Sequence, residues 1–298
     1  MKIIVTGSLG NISKPLTEEL VQKGHAVTVI GSSAEKQKDI EALRAIAAIG
    51  SIEDIEFLTA TFTGADIVYT MIPPGSFFDP SFDMIKSYST FSNNYARAIQ
   101  QSGVKKVVHL SSIGAHMDKG NGMLAFHHTA ESILKQLPGD VSIKFMRPVG
   151  FYPNMLRFIP TIKAQGAIIQ NYGGDEKEPW VSPLDIAAVI AEEIEKPFNG
   201  RTIRYIASDE LSPNEVAKIL GEAIGKPDLK WLAITDEQML NGMIGIGINP
   251  AAAKGLVEMN ASRRGGVLYE DYHRHQPTLS KTKLTDFAKD FAAAFNKS

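Results

Sequence analysis

The chain has 298 residues, 44% hydrophobic and 8% aromatic, with 31 Lys and Arg against 33 Asp and Glu. That length builds one large α/β domain, or a domain with a smaller lobe, around a sizeable core. A formal charge of −2 supplies no basic footprint for nucleic acid, and the absence of cysteine excludes a disulfide scaffold, a Cys-ligated metal centre and a thiol nucleophile.

In chain order, Ile3-Ile4-Val5 is a short β-branched run without polar alternation, the pattern of a parallel strand buried on both faces. The turn from Thr6 to Ser13 leads into a helix carrying Leu16, Leu20 and Val21, with Pro15 in its first turn and Gly24 at its end. A strand from His25 to Ile30, a helix from Ala34 to Leu43 and an apolar segment from Ala45 to Ile49 follow. The strand from Asp66 to Ile72 is stopped by Pro73-Pro74-Gly75. Next come a helix through Tyr88 to Gln101, a strand from Lys106 to Leu110, a helix near Thr129 to Gln136 and a strand from Val141 to Met146. This rhythm predicts a doubly wound parallel sheet over residues 1–150.

After Arg147-Pro148 the pattern loosens into a Pro-rich aromatic stretch, a helix from Pro183 to Ile194, a strand from Thr202 to Ala207 and a helix from Pro213 to Ile224. We expect residues 151–298 to form mainly a smaller C-terminal α/β lobe, with about 176–198 completing the first domain. The segment Met239 to Asn249 reads as a mobile flap or as buried packing. Leu284, Phe287, Ala288, Phe291 and Phe295 mark one face of a docking helix. The N-terminus turns too early for a secretory signal and no run of about 18 apolar residues occurs, so a cytoplasmic protein with no membrane partner is expected.

The strongest chemical signal is Gly7-x-x-Gly10-x-x-Ser13 between the first strand and the first helix. Glycines there let the backbone approach a pyrophosphate, while free amides and the helix dipole attract its charge. In that context the motif reads as a dinucleotide fingerprint, with Ser in place of the third Gly. The end of the second strand selects the cofactor. It reads Gly31-Ser32-Ser33-Ala34-Glu35-Lys36-Gln37-Lys38, with hydroxyls and lysines suited to a 2′-phosphate, which favours NADP over NAD. The alternative is that Ser33 only caps the helix and the lysines are solvated.

The pieces TGSLGNIS, GAD-IVYTMIPP, KKVVHLSS, RPVGFYPN and EPWVSPLDIA, in that order, resemble the NmrA-like branch of the atypical short-chain dehydrogenase/reductases. The resemblance implies a Rossmann domain with a substrate lobe and a cleft between them. It puts Gly7, Leu9, Gly10, Asn11 and Ile12 at the pyrophosphate, Ser32 and Ser33 at the adenosine ribose, where Lys36 is the nearby cation for a 2′-phosphate, and Met71, Ile72 and Pro73 along the dinucleotide. Ser111, Ser112 and the backbone of Pro148, Val149, Gly150 and Phe151 would lie near the nicotinamide.

Typical members of that superfamily carry Tyr-x-x-x-Lys on the helix after the Ser-bearing strand. Here the corresponding positions are His127 and Glu131, which share a helical face. Without the phenol and ammonium, reduction of a simple ketone lacks its proton donor, whereas a quinone or similar conjugated acceptor spreads the incoming charge. The reading is therefore an NADPH-dependent reductase of electron-poor conjugated small molecules. His127, as an imidazolium beside Glu131, would deliver a proton or orient the substrate; a surface His–Glu pair is the alternative. Tyr152 and Asn154 are candidate substrate contacts, with packing the alternative for Tyr152. A non-catalytic NAD(P)-binding redox sensor acting through a protein partner would share the same features, whereas a sugar-nucleotide epimerase would want the Tyr–Lys pair. Adjacent His127 and His128 diverge around a helix, so no metal is expected. Ser111-Ser112 lacks the nucleophile elbow of a hydrolase. A homodimer is left open.

Overall fold

The computed structural model describes residues 1–73, 75, 78–79 and 84–297, with Met84 and Ile85 as backbone only. Its first half alternates β1 (Lys2–Val5), α1 (Ser13–Gln22), β2 (Ala26–Gly31), α2 (Gln37–Ala42), β3 (Ile46–Ile49), α3 (Ile55–Phe62), β4 (Ile67–Met71), α4 (Met84–Ser102), β5 (Lys106–Leu110), α5 (Ala125–Leu134) and β6 (Ser142–Pro148). The second half adds β7 (Gly150–Phe151), α6 (Ile159–Gln165), β8 (Ala167–Gln170), β9 (Glu178–Val181), α7 (Pro183–Glu195), β10 (Arg201–Ile206), β11 (Asp209–Leu211), α8 (Pro213–Ala223) and β12 (Lys230–Ala233). Helices α9 (Asp236–Gly245), α10 (Pro250–Ala261), α11 (Glu270–Arg274) and α12 (Leu284–Lys297) complete it.

Seven parallel strands in the order β3-β2-β1-β4-β5-β6-β10 form the main sheet, a doubly wound Rossmann arrangement. Side chains alternate across it, so each β-branched run feeds two cores. Ile3, Val5 and Tyr69 join Leu16 and Leu20 of α1 and Ile186, Ile190 and Ile194 of α7 on one face. Ile4 and Val68 join Leu58, Phe62, Tyr95, Ile99 and Leu134 on the other.

The strand expected in the smaller lobe is instead β10, the last strand of the main sheet, in register with β6 from Arg201 opposite Ile143 to Ile206 opposite Pro148. It is an edge strand with Thr202 and Ile203 exposed, which hid its sheet membership from a pattern sought for buried strands. The lobe has its own core of Tyr152, Met155, Phe158, Ile162, Trp180 and Trp231, onto which α12 lays Leu284, Ala288 and Phe291. Segment 239–249 is helical through Gly245, with Met239 buried and Ile244 and Ile246 exposed. Strand β4 ends at Met71, while Pro74 of the expected stop lies outside the described residues. Among the described residues no helix is long and apolar enough to cross a membrane.

Candidate active site

The turn between β1 and α1 lies at the carboxyl end of the sheet, and its backbone is unusual in two consecutive places. Gly7 has φ 92° and Ser8 has φ 52°, both in the left-handed region. A Cβ on Gly7 would stand 2.6 Å from Ser13 Oγ and 3.0 Å from the Met71 side chain, so only glycine fits. Gly10 N–H donates back to Gly7 O at 3.2 Å and Ser8 N–H donates to Ile30 O at 3.0 Å, closing the turn. The Ser that replaces the third glycine has work of its own: Ser13 Oγ donates to Thr6 O at 2.8 Å. The amides of Leu9, Asn11 and Ile12 have no hydrogen-bond partner among the described residues, and Ile12 supplies no side-chain cap to α1. Unclaimed amides at a helix start, with a cradle that a Cβ would fill, fit a pyrophosphate.

Strand β2 finishes in Gly31 without an acidic side chain. Ser33 Oγ accepts the Glu35 N–H at 3.3 Å, so it does cap the following turn, although its own proton stays available. Ser32 is exposed, and Lys36 is exposed with a loose 3.6 Å pair to Asp39. Met71 packs beside Gly7, with Ile72 buried and Pro73 half-buried just after it.

The helix that carries His127 and Glu131 holds the largest departure from expectation. Glu131 is fully buried, and its carboxylate is taken up by other groups: Ser111 Oγ donates to Oε1 at 2.6 Å, Arg147 Nε to Oε1 at 2.8 Å, Arg147 Nη2 to Oε2 at 2.7 Å and Lys135 Nζ to Oε2 at 2.9 Å. Burial alone would push the Glu131 carboxyl up, but the Arg147 guanidinium and the Ser111 and Lys135 donors bring it down to about 2. Arg147 continues the network, with Nη1 donating to Asp271 Oδ2 at 2.8 Å and to Tyr205 OH at 3.2 Å, while Tyr205 OH donates to Asp271 Oδ2 at 2.6 Å.

The expected imidazolium beside Glu131 is therefore corrected. Burial and the neighbouring His109 hold His127 neutral, down to about 3, outweighing the upward pull of Glu131. His127 Nδ1 is buried without a partner, its ring lies 4.0 Å from that of Phe126, and Nε2 is the ring nitrogen left outside the buried, unpaired set. His109 is fully buried on β5, with Nδ1 2.9 Å from Thr70 Oγ1 and Nε2 unpartnered; burial lowers it to about 4.

Ser111 is 2% exposed with its hydroxyl turned to Glu131, whereas Ser112 is half-buried and its hydroxyl has no hydrogen bond among the described residues. Pro148 O accepts Ile113 N–H at 2.9 Å, and β7 sets Gly150 opposite Trp180 and Phe151 opposite Val181. Tyr152 is corrected as a substrate contact. It is fully buried in the lobe core, stacked 5.8 Å from Phe287, and its hydroxyl donates to Asp209 Oδ2 at 2.8 Å. Asn154 is exposed and its Oδ1 accepts from Arg157 Nη2 at 3.0 Å. Asp185 of the VSPLDIA segment sits in the first turn of α7 and accepts from Ser208 Oγ at 2.6 Å and Thr282 Oγ1 at 2.9 Å.

Arg147, Asp271 and Tyr205 were not anticipated. Arg147 stood in view within RPVGFYPN, and a cation entering a buried apolar strand implies a buried anion. No group of three or more His, Asp or Glu side chains set to hold a metal occurs among the described residues.

Comparison with known proteins agrees with this architecture. The family model described as NmrA-like family matches residues 1–269. The NAD(P)H azoreductase of Xenophilus azovorans is 25% identical over 296 residues, covering 98% of this chain and 99% of that protein. Among solved structures, the NADPH-dependent quinone oxidoreductase of Escherichia coli complexed with NADPH superposes with a TM-score of 0.80 at 18% identity, over 97% of this chain and 99% of that one. The triphenylmethane reductase of Citrobacter gives 0.75 at 18% identity, over 98% and 100%. At such identities the structures speak for the fold.

Proposed function

Because the chain belongs to the NmrA-like family, we propose that it is an NADPH-dependent reductase of electron-poor conjugated acceptors such as quinones, working without a Tyr–Lys proton relay. The observation that carries the reading is the turn from Gly7 to Ile12, with two left-handed residues and unclaimed amides at the start of α1. The azoreductase relative, matched nearly end to end, supports a conjugated acceptor.

In this reading the amides of Leu9, Asn11 and Ile12 bind the pyrophosphate, Ser32, Ser33 and Lys36 face the 2′-phosphate, and Ser112 with the Pro148–Phe151 backbone flanks the nicotinamide. Reduced nicotinamide supplies a hydride when bound. The protein's own part is positioning. His127 stands where the family pattern has its phenol. As a neutral imidazole it cannot furnish a proton in the way an imidazolium does, so its role is to orient the acceptor through a ring N–H, the product taking its proton from water. Glu131 and Arg147 form a neutral pair behind it that fixes Ser111 and α5.

Steady-state NADPH oxidation with a panel of quinones and azo compounds tests the proposal. Turnover above the cofactor's own background is expected, with His127→Ala lowering it several-fold. Tight NADPH binding with no turnover on any acceptor replaces the reading with a redox sensor. Binding of neither NADPH nor NADH in calorimetry sinks both.

A further inference from the structure

Ile72, Tyr88, Phe91 and Ala130 form a small apolar cluster of their own, apart from the cores on the two faces of the sheet, with Phe126 packed against it. The cluster joins the residue after β4 to α4 and to the start of α5, the helix that carries His127. Three rings succeed one another through it. The Tyr88 and Phe126 centres are 4.2 Å apart with 42° between their planes, and the Phe126 and His127 centres are 4.0 Å apart with 34°. Tyr88 is 3% exposed, and its hydroxyl accepts the Gly75 N–H at 3.0 Å. Gly75 closes the Pro73-Pro74-Gly75 run that follows β4, just beyond the Met71–Pro73 run that the reductase reading sets along the dinucleotide.

Rotation about the Cβ–Cγ bond of a histidine is soft, and a hydrogen bond to a ring nitrogen is what ordinarily fixes it. His109 has Thr70 Oγ1 at 2.9 Å and His128 has Ala115 O at 3.1 Å. His127 has no such bond: its Nδ1 is buried without a partner. Ring packing is what holds it instead. An aromatic pair shifts a rotamer equilibrium by about two- to tenfold, enough to select one orientation where no hydrogen bond competes. A phenylalanine at 88 would fill the same space, but only the phenol reaches an amide of the segment after β4.

We propose that Tyr88 and Phe126 are positioning residues of the acceptor site: the ring series, anchored at Gly75, sets the direction of His127 Nε2. The imidazole that orients the acceptor is thereby aligned from the segment that follows the dinucleotide run. The acceptor and the dinucleotide rest on the reductase reading above, whereas the alignment of the ring does not.

The experiment follows the carbon-bound imidazole protons of His127 by NMR in the full-length protein, assigned by their loss in His127→Gln, with the melting temperature showing that each variant is folded. In the cofactor-free wild type they should lie at least about 0.3 ppm upfield of those of a neutral exposed histidine, because the Phe126 ring faces them. Phe126→Leu should abolish that displacement. Tyr88→Phe, which keeps the ring and loses the Gly75 bond, should at least halve it. Phe91, whose ring centre is 6.4 Å from that of Tyr88, belongs to the cluster but lies off the path to His127, so Phe91→Leu should lower the melting temperature and leave the signal in place. A signal indifferent to both Phe126→Leu and Tyr88→Phe overturns the proposal, as does one that Phe91→Leu moves equally far. In turnover with a quinone, Tyr88→Phe should lower kcat about three- to tenfold while the KM for NADPH stays within about twofold. An unchanged kcat beside a displaced signal also overturns it. If no acceptor is turned over and the spectra are as expected, the reductase reading alone falls. Turnover with an indifferent His127 signal sinks the positioning role alone.

Discussion

Arg147 grips Glu131 with two parallel hydrogen bonds, Nε to Oε1 at 2.8 Å and Nη2 to Oε2 at 2.7 Å, with both side chains almost wholly out of water. A two-pronged pair of this kind is costly to break from one side, because the surviving charge is left buried. Arg147→Met should lower the unfolding free energy by about 3–5 kcal/mol in urea titration. Lys135→Met, which removes a partner whose side chain is 42% exposed, should cost less than about 1 kcal/mol. Equal effects would mean that the pair does not act as a buried unit.

Acid should destabilise the protein in two stages. His109 and His127 are lowered in the fold from 6.5 to about 4 and about 3, so their neutral forms stabilise it fully above about pH 6.5, and that contribution falls as pH drops toward 4 and 3. Glu131 is lowered from 4.5 to about 2, so its share is intact above about pH 4.5 and is lost between there and pH 2. Unfolding at pH 5.5 should therefore take up protons, and His109→Gln should reduce that uptake. An imidazole NMR signal from His127 that titrates near pH 6.5 would contradict this assignment.

Gly7→Ala places a side chain on a left-handed residue and against Ser13 Oγ at 2.6 Å. It should cost about 1–2 kcal/mol of stability and weaken NADPH at least about tenfold by calorimetry. Gly10→Ala, whose Cβ meets only Gly7 O at 3.2 Å, should do less. The reverse order would remove Gly7 from the phosphate cradle.

If the end of β2 selects the cofactor, Lys36→Glu should cut the NADPH-over-NADH ratio of kcat/KM about five- to tenfold by setting an anion against the 2′-phosphate. An unchanged ratio would place selection elsewhere.

Tyr152→Phe removes the hydroxyl that Asp209 accepts at 2.8 Å, although Asp209 Oδ2 keeps the Leu284 N–H at 2.7 Å. A loss of about 1–2 kcal/mol in stability with KM unchanged is expected. A large rise in KM would return Tyr152 to the substrate.

What was readable in the sequence follows the range of the interactions. The β-branched run Ile3-Ile4-Val5 and the glycine spacing after it are patterns carried within about ten residues of sequence, and both were legible, although Ile30 and Met71 complete the turn. The partner of Glu131 lies 16 residues away, and the Asp271 that completes the Arg147 cluster lies 124 residues from Arg147. Side-chain spacing along one helix suggested a His127–Glu131 pair, but a bidentate guanidinium from the adjoining strand satisfies the carboxylate better. Tyr152 misled for a related reason. An aromatic with a polar tip suits a cleft wall as well as a core, and only the distant Asp209 and Phe287 decide between them.

Helix α7 and strand β10 come from beyond residue 180, yet α7 seals the apolar face of α1 and β10 borders β6. The nucleotide module is thus stitched from both halves of the polypeptide. A fragment ending at residue 150 would leave Leu16 and Leu20 wet and an open row of backbone donors along β6, inviting self-association. Grafting a foreign lobe onto this scaffold calls for splicing between Val149 and Ser182 and again after Ile206, so that the returning helix and strand stay with the frame they close.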